Sequence, residues 1–223
     1  MSQRSIFDMI GPIMIGPSSS HTAGVVRIGR TAMRILGHIP QKAEIIFYNS
    51  FARTYEGHGS DRAIIAGLLD FSTDDIRIRD SFQYAQQQGL QYSFKSIANA
   101  SIFHPNTIQL KLQHGQETVE VIGVSKGGGM IAIERVNGFV ANLSATLHTL
   151  IVLAEDIKGA IAFIASILAN ENCNIANMSV SRKAKNDLAC HFIEMDSAPR
   201  SLTIDYIGSL PWVKKVNMLP PVD

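Results

Sequence analysis

The chain is poor in cysteine, in tryptophan, in net charge and in long apolar runs, and each shortage excludes something. Of 223 residues only Cys173 and Cys190 are cysteines. Two thiols cannot complete a structural zinc site or hold an iron-sulfur cluster, which takes about three or four thiolates. Their contexts, ENCNIA and LACHF, are those of small buried hydrophobes in a reducing compartment. Twenty basic side chains face nineteen acidic ones, for a formal charge of +1, with no block of like charge. No nucleic acid or anionic membrane is expected as a partner. The apolar stretch from Leu150 to Leu168 is interrupted by Glu155, Asp156 and Lys158, short of the ~18 residues of a membrane span. The N-terminal apolar run is broken by Asp8, Gly11 and Pro12 without the order of a signal peptide, and a cytoplasmic location is the expectation.

What is present is a soluble composition, 46% hydrophobic and 17% charged, on a chain long enough for one or two domains. The stretch Gly16-Pro17-Ser18-Ser19-Ser20-His21-Thr22-Ala23-Gly24 stands out. It precedes Val25, Ile28, Ala32, Met33 and Leu36, whose three- and four-residue steps predict a helix over 22–36 stopped by Gly37. Serines at a helix start join their hydroxyls to free N–H groups and form an anion site, while His21 adds a group that titrates near neutral pH. A serine triplet is also an ordinary cap, and the stretch alone does not choose between these two readings.

A second stretch repeats the arrangement. Thr54-Tyr55-Glu56-Gly57-His58-Gly59-Ser60-Asp61-Arg62 follows a predicted strand at 42–48 and leads into a helix over 63–69, with Ser60-Asp61 resembling a helix start. If both starts face one cavity, His21 and His58 share a substrate; otherwise Gly-His-Gly is a tight turn. Further on, the pattern predicts a polar helix over 80–88 and strands at 92–97, 108–112, 118–125 and 130–137. His104 and Asn106 flank Pro105 in a turn, and Ser125-Lys126-Gly127-Gly128-Gly129 links two strands as a carboxylate nest or a loose hairpin. Between 138 and 143 the pattern weakens. From His148 the order is strand 148–154, helix 157–168, strands 174–182 and 188–195, helix 201–210 and strand 212–219, the βαββαβ of a ferredoxin-like domain.

Together IGPSSSHTAG, TYEGHGSDRA followed by AGLL, FHPNT and the triple-glycine hairpin resemble the beta subunit of bacterial iron-sulfur L-serine dehydratases over essentially the whole chain. The resemblance implies an α+β fold: a serine-dehydratase beta domain over 1–143, similar to the allosteric substrate-binding domain of some D-3-phosphoglycerate dehydrogenases, then an ACT domain over 148–223. It implies an L-serine ammonia-lyase yielding pyruvate and ammonia. The 4Fe-4S cluster is held by a partner alpha subunit, in keeping with the two cysteines here, and this chain ligates no metal. The resemblance assigns catalytic roles to His21, Ser19, Ser20 and His58 and substrate contacts to Ser18, Thr22, Gly57 and Gly59. It places a second L-serine at His104 and Asn106, and ACT effector contacts at Gly159 and Asn177. Two departures stand out: Lys126 where a neutral residue precedes the glycines, and Asp156-Ile157-Lys158-Gly159 without a proline. A homodimer formed by sheet or helix pairing is the expectation for the isolated chain.

Two rival readings differ in class. In one the chain is a non-catalytic amino-acid-sensing regulatory subunit, which has no need of a histidine poised at a helix start. In the other it is an independent Ser-His hydrolase, for which no G-x-S-x-G elbow is present.

Overall fold

The computed structural model describes residues 13–16, 18–100 and 102–222. Asp8, Gly11, Pro12 and the turn residue Pro17 lie outside the described residues. Contacts cluster into two units that divide between Asn137 and Gly138.

In the first unit a π-helical turn, Ser19–Ala23, runs into α1 (Gly24–Leu36). β1 (Lys42–Tyr48) is followed by α2 (Asn49–Thr54), α3 (Ser60–Leu68), a 3-10 turn (Ile76–Asp80) and α4 (Ser81–Gln87). Strands β2 (Gln91–Ile97), β3 (Thr107–His114), β4 (Glu117–Gly127) and β5 (Met130–Val136) complete it. The strand order is β2-β1-β3-β4-β5. β1 pairs with β2 in parallel, and β1–β3, β3–β4 and β4–β5 are antiparallel. The parallel pair requires a long crossover, and the helices between Asn49 and Gln87 provide it.

The start of α1 corrects the expected helix. It begins at Ser19 as a wide turn and becomes α-helical only at Gly24, while its end at Leu36 and the left-handed Gly37 (φ 92°) are as expected. The Gly24 N–H donates to the Ser19 carbonyl, five residues back. α2 was not visible in the pattern, because six residues are too few to establish a period.

Two glycine contacts place the helices. A Cβ on Gly67 would lie 2.3 Å from the Val26 carbonyl oxygen, and one on Gly29 would lie 2.8 Å from the Ile64 carbonyl oxygen. The bare backbones let α1 and α3 touch, which brings their N-terminal ends side by side. α1 rests on the sheet through Ile28, fully buried against Gly123, where a Cβ would meet Ile28 Cγ2 at 2.7 Å. Ile28, Ile45, Ile108 and Leu110 are inaccessible to solvent, and each such side chain stabilises the fold by roughly 1.5–3 kcal/mol.

The second unit opens with β6 (Phe139–Leu143), reached through Asn137 and Gly138, both in left-handed backbone (φ 50° and 82°). Then follow β7 (His148–Glu155), α5 (Ala160–Asn170), β8 (Ile175–Arg182), β9 (Leu188–Met195), α6 (Ser201–Gly208) and β10 (Val213–Leu219). The order β10-β7-β9-β8, with every pair antiparallel, is the ferredoxin-like arrangement. Leu150, Val152, Ile164, Leu168, Ile193 and Ile207 form its core. α5 starts three residues later than expected, because Gly159 in left-handed backbone (φ 86°) precedes it. β6 contributes Phe139, Ala141 and Leu143 as alternating buried residues, and the Val140 N–H donates to Ser181 Oγ on β8 at 3.1 Å.

A buried carboxylate sits in the same unit. Glu194 is 3% exposed and accepts from the Ser144 N–H (2.8 Å), Ser144 Oγ (2.6 Å) and Asn177 Nδ2 (3.1 Å). A buried carboxylate is tolerated when its oxygens are this well supplied with donors.

Candidate active site

The expected contacts at the head of α1 come together. Ser18 is the N-cap, and its Oγ accepts the His21 N–H at 3.2 Å. Ser18 and Ser20 share a hydroxyl hydrogen bond of 3.2 Å, and Ser20 Oγ lies 3.0 Å from His21 Nδ1. The hydroxyls of Ser18 and Ser20 are thus spent inside the loop, on capping and on aiming the imidazole. Ser19 contributes its carbonyl to the wide turn. With Nδ1 engaged, the other ring nitrogen, Nε2, is buried and has no hydrogen-bond partner. A buried polar atom without a partner is costly and calls for an explanation.

His58 arrives from the α3 side, on the exposed turn formed with Gly57 and Gly59. Its ring centroid is 4.9 Å from that of His21, at an interplanar angle of 47°. The edge of Phe51, from the unforeseen α2, closes the other flank of His21 at 4.9 Å and 82°. Burial, and secondarily the charge of His58, hold the His21 pKa below its ordinary value of 6.5. The ring is therefore neutral at neutral pH and able to accept a proton.

α3 begins at Ser60, as the Ser60-Asp61 pair led one to expect, but no side chain caps it. The N-cap is Gly59, in left-handed backbone at φ 70°, and gives no side-chain cap. Ser60 is fully buried and its Oγ donates to the His21 carbonyl at 2.7 Å. Thr22, 2% exposed, reaches toward the His58 carbonyl at 3.5 Å. These two bonds tie one motif to the other, and nothing in the local sequence signals them, because the partners lie 39 and 36 residues apart.

Beside His58, and without His21 in its lining, is a cavity of about 210 Å³, lined by Thr22, His58, Gly59, Arg62, Ile78 and Arg79 together with Ile15 and Gly16. Among the described residues no acidic side chain lines it. The two arginines were not singled out as site residues. Arg62 was present in the motif, but nothing in the spacing brings Arg79 beside it.

The expected effector residues lie elsewhere. At the His104-Pro105-Asn106 turn, His104 Nδ1 accepts the Asn106 N–H at 3.1 Å, and Asn49 Nδ2 donates to the Ala100 and Phe103 carbonyls at 3.0 and 2.9 Å. The His104 Nδ1 is thus engaged within its own loop. Gly127, Gly128 and Gly129 all take positive φ (90°, 62° and 78°), and the Gly129 carbonyl accepts from Arg27 Nη1 at 2.9 Å. Ser125, inaccessible to solvent on β4, packs against Gly24 with its Oγ unpartnered. In the second unit Gly159 borders a cavity of about 250 Å³ with Ile157, Lys158, Ala160, Phe163 and Trp212. Asn177 is engaged with Glu194.

The thiols do not suit a metal cluster. Cys173 and Cys190 are buried free cysteines of the second unit, and burial pushes the Cys190 thiol up to about 12, opposite to the shift a metal-binding thiolate needs. Among the described residues no group of three or more His, Cys, Asp or Glu side chains is arranged to hold a metal ion. Nor is any described helix long and apolar enough to cross a membrane.

An α+β unit that presents two histidines at adjoining helix starts, followed by a ferredoxin-like unit, defines a two-part protein with its polar site in the first part. The serine dehydratase beta chain family model matches residues 5–136. The chain is 42% identical over 219 residues to the probable L-serine dehydratase beta chain of Bacillus subtilis, covering 98% of this chain and 99% of that one. It is 35% identical to the L-serine dehydratase beta chain of Peptoniphilus asaccharolyticus, over 88% of this chain and 89% of that one. The ACT domain of a Chlorobium tepidum GTP pyrophosphokinase matches 33% of this chain at 17% identity and a TM-score of 0.27. The chain belongs to the serine dehydratase beta chain family.

Proposed function

We propose that the chain is the substrate-gripping subunit of an L-serine ammonia-lyase, acting with an alpha subunit that carries the 4Fe-4S cluster. Its thiols do not fit that cluster, so its contribution is acid-base and positional. The observation that carries this reading is His21: Nδ1 held by Ser20, Nε2 buried without a partner, and a pKa lowered below 6.5. A neutral imidazole with one nitrogen fixed has the form of a base that takes a proton at Nε2. His58, 4.9 Å away, adds to the burial that holds the His21 pKa down, and its exposed turn offers a route for the proton to solvent.

The convergence of 18–22 and 57–59, with Thr22, His58 and Gly59 lining one cavity, supports a substrate role there. The His104 ring and the Asn177 amide are occupied by internal partners. The ferredoxin-like unit suits the ACT role in regulation or pairing, and the cytoplasm suits the reduced thiols.

The experiment is serine-dependent pyruvate formation, measured anaerobically with the chain alone and after mixing with a cysteine-rich alpha subunit. Pyruvate is expected only from the mixture. Turnover by the chain alone, or full turnover by a reconstituted His21→Ala variant, overturns the reading. A mixture that binds serine but makes no pyruvate favours the sensor reading instead.

A further inference from the structure

The capping serines leave a question open. Their hydroxyls are committed to one another and to His21, so the acid group of a substrate needs a partner elsewhere. The cavity next to Thr22 and His58 offers one. Arg62, in the first turn of α3, and Arg79, in the 3-10 turn, both line it. Among the described residues neither guanidinium takes part in an ion pair. Both stand exposed to solvent. The neighbouring Asp61 accepts the N–H of Arg62 at 2.8 Å and lies outside the lining. Each of these facts points to an anion as the occupant.

We propose that Arg62 and Arg79 form a carboxylate clamp, so that a small amino acid enters with its acid group between the guanidiniums and its α-carbon toward the histidine pair. Arginine suits this task because its planar fork matches the two oxygens of a carboxylate. The N-terminal end of α3, without a side-chain cap at Gly59, adds a favourable dipole from the same direction. The volume of about 210 Å³ equals roughly seven times the ~30 Å³ that a water molecule occupies. That leaves room enough for a small amino acid. Thr22 lines this cavity and directly follows His21 in the chain, so clamp and base are neighbours.

The clamp rests on the reading of this site as substrate-binding, and two measurements separate its failure from a failure of that reading. In the first, the full chain is titrated with 3-hydroxypropionate, which keeps the carboxylate and lacks the amine, and with 2-aminoethanol, which does the reverse. The imidazole proton resonances of His58 report binding. The acid is expected to shift them and the amine to leave them unmoved. Arg62→Gln and Arg79→Gln are each expected to weaken the acid about tenfold, with Arg62→Lys in between, since it keeps the charge and loses the fork. In the second, the complex with the alpha subunit is assayed: either glutamine variant raises KM for L-serine about tenfold while kcat changes less than about threefold. A wild-type chain indifferent to 3-hydroxypropionate, or variants with unchanged KM in an active complex, overturns the clamp. A wild-type complex without activity overturns the lyase reading and leaves the titration to decide the clamp.

Discussion

His21 and His191 both have pKa values lowered chiefly by burial, and their surroundings differ. His191 lies in the middle of β9, 2% exposed, paired across the sheet with Val152 and Val180, and neither ring nitrogen has a partner. It is a core side chain. His21 has one nitrogen aimed by Ser20, a second histidine at 4.9 Å and a cavity beside the following residue. Desolvation alone does not make a reactive imidazole; the role proposed for His21 rests on an aimed ring and a second histidine beside it, which His191 lacks.

The sharpest way to break that contrast is to remove each ring in turn. Reconstituted His21→Ala is expected to lose about 10²–10⁴-fold in kcat/KM for serine, whereas His191→Leu loses almost none. Gly67→Ala attacks the frame that holds His21 beside His58. A Cβ 2.3 Å from the Val26 carbonyl forces the helices apart, destabilising by about 1–3 kcal/mol, read as a lower Tm. Ser20→Ala frees the His21 ring and should lower kcat/KM by about 3–10-fold, the worth of one hydrogen bond, with KM little changed.

The smaller effects lie in pH. His191 has a folded pKa below its unfolded value near 6.5. Its neutral state thus supports the fold above that pH, and support is lost as pH falls, because the unfolded chain binds the proton more readily. Tm should decline from pH 7.5 to 5.5, and His191→Leu should flatten the decline. Glu171, held at about 2 by Arg200, acts in a separate window: its support is lost only as pH falls below about 4.5. His58→Gln removes the charge that helps depress His21, so the acid limb of the rate profile should move to higher pH. A limb that stays put removes His58 from the proton path.

Much of this was legible in the chain because it is local. The serine-histidine and Gly-His-Gly stretches were readable as helix starts from capping chemistry and spacing, and βαββαβ was readable from period alone. The convergence of the two starts was not, because it depends on Gly29 and Gly67 meeting across two helices. Ser60 was readable as a helix start, but its bond to the His21 carbonyl was not, because a left-handed Gly59 takes the cap position and leaves the Ser60 hydroxyl for a partner far away in sequence. β6 was passed over although Asn137-Gly138, the strongest short turn signal, stands directly before it. His191 drew no notice, since a lone histidine in an apolar strand has no local signature.

The wide turn at Ser19–Ala23 carries one residue more than an α-helical turn would. Deleting a single residue there would let the helix wind uniformly, and everything upstream would swing by about 100° about the axis while Val25, Ile28 and Leu36 kept their seats in the core. The orientation of the serine-histidine loop is thus an angular offset, and a one-residue change in length would also cost the bonds by which the His21 carbonyl and Thr22 hold the loop to the α3 side.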